Sequence, residues 1–162
     1  DPFGLAWRAR AAGVPTRIGE LAGEINTGMP GYVIDKLQAA LNEHGKAVKG
    51  ARILVLGLAY KPNIDDPRES PAFDIIERLL ALGAEVAYHD PHIPTAPRMR
   101  SWPDLPAMSS QPLTAATLQS VDAAVLVTDH AAVDYALVLE HAPLIIDTRG
   151  VYRDRDSKVH PA

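Results

Sequence analysis

The chain contains no cysteine at any of its 162 positions. Disulfides, thiolate metal sites and a cysteine nucleophile within it are therefore excluded. No apolar run approaches the ~20 residues that cross a bilayer, and no signal-peptide pattern is visible. A cytoplasmic protein with no membrane partner is the expectation. Basic runs are missing too, and the net charge is -4, which argues against nucleic acid as a partner. Aromatics are sparse, with two Phe and two Trp. The G-x-G-x-x-G turn of dinucleotide-binding sheets is also absent: Gly57-Leu58-Ala59-Tyr60 has the first glycine only.

What remains is an ordinary globular composition, 47% hydrophobic and 22% charged. The length favours one domain with an appendage. Fourteen prolines fall mostly between periodic segments and punctuate them. Phe3 to Ala12 reads as a short helix ended by Gly13 and Pro15. Leu21, Ile25, Met29, Val33, Leu37 and Leu41 form a helical stripe of about six turns. Pro30 lacks an N–H and crowds the carbonyl of Asn26, so a kink or restart is expected there. The stripe must face its own domain, a second copy or a further domain.

Arg52 to Leu58 is an unbroken apolar run, as in a buried parallel strand. Ser70 to Leu82 follows as a helix stopped by Gly83, then Glu85 to His89 as a strand turned by Asp90-Pro91. Thr95 to Pro112 holds four prolines and reads as a loop, with an edge strand near Met99 to Trp102. Further elements are a helix from Thr114, strand Ala123 to Val127, helix Ala132 to Glu140 with Asp129 or His130 at its cap, and strand Leu144 to Asp147. The alternation predicts an α/β, Rossmann-like, doubly wound and mostly parallel sheet preceded by a long helix. The expected division is 1–48 helical region, 49–152 sheet domain and 153–162 flexible tail.

Ligands of such sheets bind beyond the carboxyl ends of the strands. Three polar clusters follow strand ends: Lys61 to Arg68, Thr128 to His130, and Asp147 to Arg149. Lys61 supplies a point charge and Arg149 a planar fork, a pair suited to phosphate or uridine oxygens. The alternative is two solvated surface cations, with Asp147 pairing Arg149. Asp65, Asp66 and Glu69 read as caps and loop hydrogen bonds, with Glu69 in the first turn of the helix; Arg68 projects from the rim. The six histidines lack metal spacing. His89 and His92 are the nearest to a cluster, and surface or loop positions are expected for all six.

GLAYKPNIDDPRESPA followed by GAEVAYHDPHIP, with IIDTRG near the end, resembles the UDP-glucose/GDP-mannose dehydrogenase family in its C-terminal, UDP-binding domain. Asp1-Pro2-Phe3, Trp7-Arg8-Ala9-Arg10 and ELAGEINTGMP resemble the connecting helices of the branch acting on UDP-N-acetylhexosamines. The resemblance implies a parent enzyme that oxidises C6 of a UDP-sugar to the acid. It would use NAD held by an N-terminal domain and a cysteine that lies just before the residue matching Asp1. It further implies a homodimer through residues 20–44. By resemblance Asp1 is catalytic, Tyr60, Lys61 and Arg149 bind substrate, and Arg68 reaches the NAD; no metal is implied. Pro62 departs from the family's common second lysine and puts the course of the loop in doubt. On this reading the chain is a fragment that binds UDP weakly and is inactive alone.

Overall fold

A computed structural model describes residues 17–152 and 156–162, with side chains from Met29 onward. Asp1 and the expected helix at 3–12 lie outside the described residues. Helix α1 spans Arg17–Glu43 and passes through Pro30 without interruption. The expected restart does not occur. The lost Pro30 N–H is one bond in a 27-residue ladder, too little to end the helix.

From Met29 on, α1 buries Val33, Ile34, Leu37, Ala40 and Leu41. These pack into the core of the chain's own domain, so this part of the stripe is internal. Gly45 follows with φ 70, and Lys46 N–H closes on the Leu41 carbonyl at 2.9 Å.

Strand β1 is Arg52–Leu56, helix α2 is Pro71–Ala81 and strand β2 is Glu85–His89. Helix α3 is Ala115–Gln119, β3 is Ala123–Leu126, α4 is Tyr135–His141 and β4 is Ile145–Asp147. A last strand, β5, is Val159–Pro161. The sheet runs β2-β1-β3-β4-β5, and every pairing is parallel. One face carries α1, α2 and the proline-rich segment, packed on Ile53, Val55, Val125 and Ile146. The other carries α3 and α4, packed on Leu54, Leu56, Ala124, Leu126 and Ile145. Consecutive residues thus face opposite layers, which explains why these strands read as continuous apolar runs.

The caps are local and explicit. Ser70 Oγ accepts the Ala72 N–H, with Pro71 at the first helical position. Thr114 Oγ1 accepts from Thr117 N–H. Helix α4 starts later than expected because Asp134, rather than Asp129 or His130, caps it by accepting the Leu137 N–H. Glu69 is not in the first turn of α2; it precedes the cap with φ 62. Met99 and Trp102 share only an isolated antiparallel bridge, with Trp102 stacked on Phe73 at 5.7 Å.

The expectation of a loose end is corrected by β5. Val159 pairs with Ile145, is 7% exposed and joins the core beneath α4. Ala162 N–H donates to the Asp147 carbonyl at 2.9 Å. Three residues between polar flanks carry too little periodicity to read as a strand. Removing residues 156–162 should cost ~2–4 kcal/mol, from one buried valine and the lost ladder bonds. Thermal unfolding should then fall by roughly 5–15 °C.

Candidate functional site: the rim at the carboxyl ends of β1, β3 and β4

The chain leaves β1 onto one face through α2 and reaches β3 on the other face through α3. The winding therefore reverses between β1 and β3, the place where open α/β sheets form their ligand crevice. Here the chain's own loop closes the base of that crevice. Gly57 has φ 92, and a Cβ there would lie 2.6 Å from the Thr128 carbonyl oxygen. Thr128 Oγ1 donates to the Ala59 carbonyl at 2.7 Å.

Beyond that floor the loop 57–70 is held by a buried carboxylate. Asp90, 1% exposed, follows β2. Its Oδ2 accepts from Leu58 N–H at 2.7 Å, Ala59 N–H at 3.1 Å and His130 Nε2 at 2.8 Å. Its Oδ1 accepts from His92 N–H at 2.8 Å. Burial pushes the Asp90 carboxyl up, but the donors from Leu58, His92 and His130 outweigh it and hold the group below its ordinary range.

His130 lies in the loop after β3, one of the two kinds of position expected, but it is wholly buried rather than at the surface. Its Nδ1 accepts the Asn63 N–H at 2.8 Å, while Asn63 Oδ1 accepts the Ala131 N–H at 2.7 Å. Asn63 adopts φ 64, a conformation that asparagine tolerates better than most residues.

Tyr60, Lys61 and Arg68 all lie on this tethered loop and are exposed. Lys61 Nζ stands 5.5 Å from the Tyr60 ring centroid and has no carboxylate partner among the described residues. Arg68 grips Asp66 with two bonds, 3.0 and 2.8 Å. That contact lowers the Asp66 carboxyl to about 2. Both groups are well solvated, so the pair contributes little to stability.

Arg149 arrives from β4. Its Nε donates to the Val127 carbonyl at 2.8 Å and lies 3.9 Å from Asp129 Oδ1. Asp147 does not pair with the Arg149 guanidinium. It is buried and accepts the backbone N–H groups of Arg149, Gly150 and Tyr152, which shapes the turn. The ends of β1 and β4 are thus both tied to one five-residue stretch, 127–131, at the end of β3. Arg149 bonds that stretch directly, and Lys61 lies two residues before the tethered Asn63.

This is the class of a nucleotide-binding α/β domain, with its cations on the strand-end rim and no dinucleotide phosphate loop. The chain belongs to the UDP-glucose/GDP-mannose dehydrogenase family: residues 54–154 match its UDP binding domain. UDP-glucose 6-dehydrogenase AglM of Haloferax volcanii is 34% identical over 159 residues, covering 96% of this chain and 35% of that protein. UDP-N-acetyl-D-mannosamine dehydrogenase of Salmonella typhimurium is 32% identical over 145 residues, covering 85% and 33%. Among solved structures, a UDP-D-ManNAc dehydrogenase from Pyrococcus horikoshii aligns with TM-score 0.68 at 26% identity, over 90% of this chain and 32% of that one. The chain spans about a third of the length of these relatives.

Of the sequence-derived site residues, Tyr60, Lys61, Arg68 and Arg149 fall on this rim. Asp90, His130 and Asn63, which hold the rim together, were not singled out for that role. The signal that finds them is strand order. Residues just after β2 and β3 flank the end of β1 only once the order β2-β1-β3 is known.

Proposed function

We propose that this chain is the UDP-sugar-binding part of an NAD-dependent nucleotide-sugar 6-dehydrogenase. The observation that carries the reading is the common tether: Asn63 and Arg149 both bond the 127–131 stretch. Lys61, two residues before Asn63, and the Arg149 guanidinium thereby belong to the same strand-end rim. Lys61 and Arg149 bind the diphosphate or uridine oxygens, charge-assisted contacts of the strong kind. Tyr60 lies beside Lys61.

NAD, when bound to the parent enzyme, accepts hydride from C6 of the sugar. These residues do not fit a dinucleotide cradle of their own. The Thr128 backbone blocks close approach at Gly57, and Ser70 and Pro71 occupy the start of α2. NAD therefore belongs to a further, N-terminal domain, and Arg68 reaches toward it from the loop. Asp1 would assist near the catalytic cysteine of the same parent. A UDP-N-acetylhexosamine is the favoured substrate class, supported by the N-terminal sequence and by relatives that include UDP-N-acetyl-D-mannosamine dehydrogenases. The parent acts in the cytoplasm in polysaccharide precursor synthesis. It is a homodimer through the 20–44 region, for which the outward face of α1 with half-exposed Tyr32 is available.

Calorimetry with UDP, UDP-GlcNAc and NAD tests the reading. UDP should bind, NAD alone should not. Lys61→Ala and Arg149→Ala should each weaken UDP about tenfold or more, the effect of one charged contact. Binding should also fall with ionic strength. UDP affinity unchanged in both variants contradicts it.

A further inference from the structure

We infer that His130 is the positioning residue of the Lys61 loop, and that it works only with Nδ1 unprotonated, so that acidification releases the loop. The inference rests on the UDP reading for its functional consequence and on geometry for the device itself.

The two ring nitrogens have opposite tasks. Nδ1 faces a backbone N–H, that of Asn63 at 2.8 Å, and must therefore accept. Nε2 faces the Asp90 carboxylate at 2.8 Å and must therefore donate. These contacts fix the neutral tautomer with its proton on Nε2. A second proton on Nδ1 would point at the Asn63 N–H, turning an attraction into a clash of two donors. The reciprocal bond from Ala131 N–H to Asn63 Oδ1 would be strained with it. Asn63 sits two residues after Lys61 and holds a left-handed φ of 64, so without the tether the loop relaxes toward commoner backbone.

Other groups face the same ring. Asp90 attracts a proton to the imidazole. The His92 ring stands edge-on at 4.7 Å, with a buried Nε2 that has no partner among the described residues. The Tyr135 hydroxyl donates to the His130 carbonyl at 2.7 Å, not to the ring. His92 is therefore the second imidazole of the cluster, and the test must separate the two.

Asparagine and glutamine separate the ring's two functions. In His130→Asn the side-chain oxygen can take the place of Nδ1 and keep the Asn63 bond. In His130→Gln the amide nitrogen can take the place of Nε2 and keep the Asp90 bond. Neither titrates, and His92 is intact in both. Hydrogen exchange of the 58–64 segment, corrected for intrinsic rates, is followed from about pH 8 to about 5, in the full natural chain. UDP affinity is measured in parallel.

The wild type should lose protection on acidification by about fivefold to tenfold, the effect of one buried hydrogen bond. His130→Asn should stay protected with a flat profile, and His130→Gln should be poorly protected at every pH. UDP affinity should follow protection. A wild-type profile shared by His130→Asn would assign the pH dependence to a group other than His130 and overturn the inference. So would a His130→Gln loop as protected as the wild type. If the exchange pattern holds while UDP binds none of the forms, the positioning role stands and the UDP reading falls.

Discussion

Gly57→Ala should cost ~3 kcal/mol or more and disable the rim along with the fold. Two independent terms add. At φ 92 an L side chain carries a penalty of ~1–2 kcal/mol. The new methyl would also lie 2.6 Å from both the carbonyl oxygen and the Cβ of Thr128. Backbone cannot rotate away, so β1 and β3 must separate at their carboxyl ends, an overpacking cost of ~1–3 kcal/mol. Against a typical stability of ~5–15 kcal/mol, a large fraction would be lost. Gly45 is the control. It has φ 70 but nothing within 4 Å of a built Cβ, so alanine there carries the conformational term alone. Denaturant midpoints for the two variants should differ clearly at similar slopes.

Asp90→Ala is the second large effect, and it acts through donors rather than volume. It removes the acceptor of three backbone N–H groups and of His130 Nε2, all gathered around one buried carboxylate. Each stranded buried donor costs ~1–3 kcal/mol if no water reaches it. A total of ~3–5 kcal/mol is expected after relaxation, as for other broken buried charge networks.

The pH dependence has a definite sign. The folded Asp90 carboxyl lies below its ordinary value, so the folded state favours the ionised form. Its stabilisation is complete above the unfolded value of about 3.9 and disappears as pH falls through the lower folded value. Acid unfolding below about pH 4 should therefore become shallower in Asp90→Asn. Stability at neutral pH should drop in the same variant, because an amide has one accepting oxygen and sets an NH2 donor against the donors that the other Asp90 oxygen accepted.

The strands and α2 were legible in the sequence because burial on both faces leaves continuous apolar runs, and because Ser70, Pro71 and Gly83 bracket the helix. The rim cations were legible as residues that follow strand ends. Three features were hidden, each for a physical reason. Strand β5 is three residues long and gains its place from β4 rather than from its own pattern. Helix α1 continues through Pro30 because one missing bond is a small part of its ladder. The Asp90–His130–Asn63 tether joins residues 40 and 67 positions apart. No local spacing encodes it, and it follows only from the order in which parallel strands lie. Strand-end topology pointed to the rim and the resemblance to nucleotide-sugar dehydrogenases gave its residues their proposed roles; the geometry adds what ties the rim's loops together.

The central claim is that a UDP moiety sits on the rim between Lys61 and Arg149, over the end of β3. Amide chemical-shift mapping during a UDP titration tests it most directly. The account predicts saturable shifts concentrated at 58–68, 127–131 and 147–150, with α1 and the proline-rich 95–112 segment quiet. Shifts centred on those quiet regions, or none at saturating UDP, would contradict it.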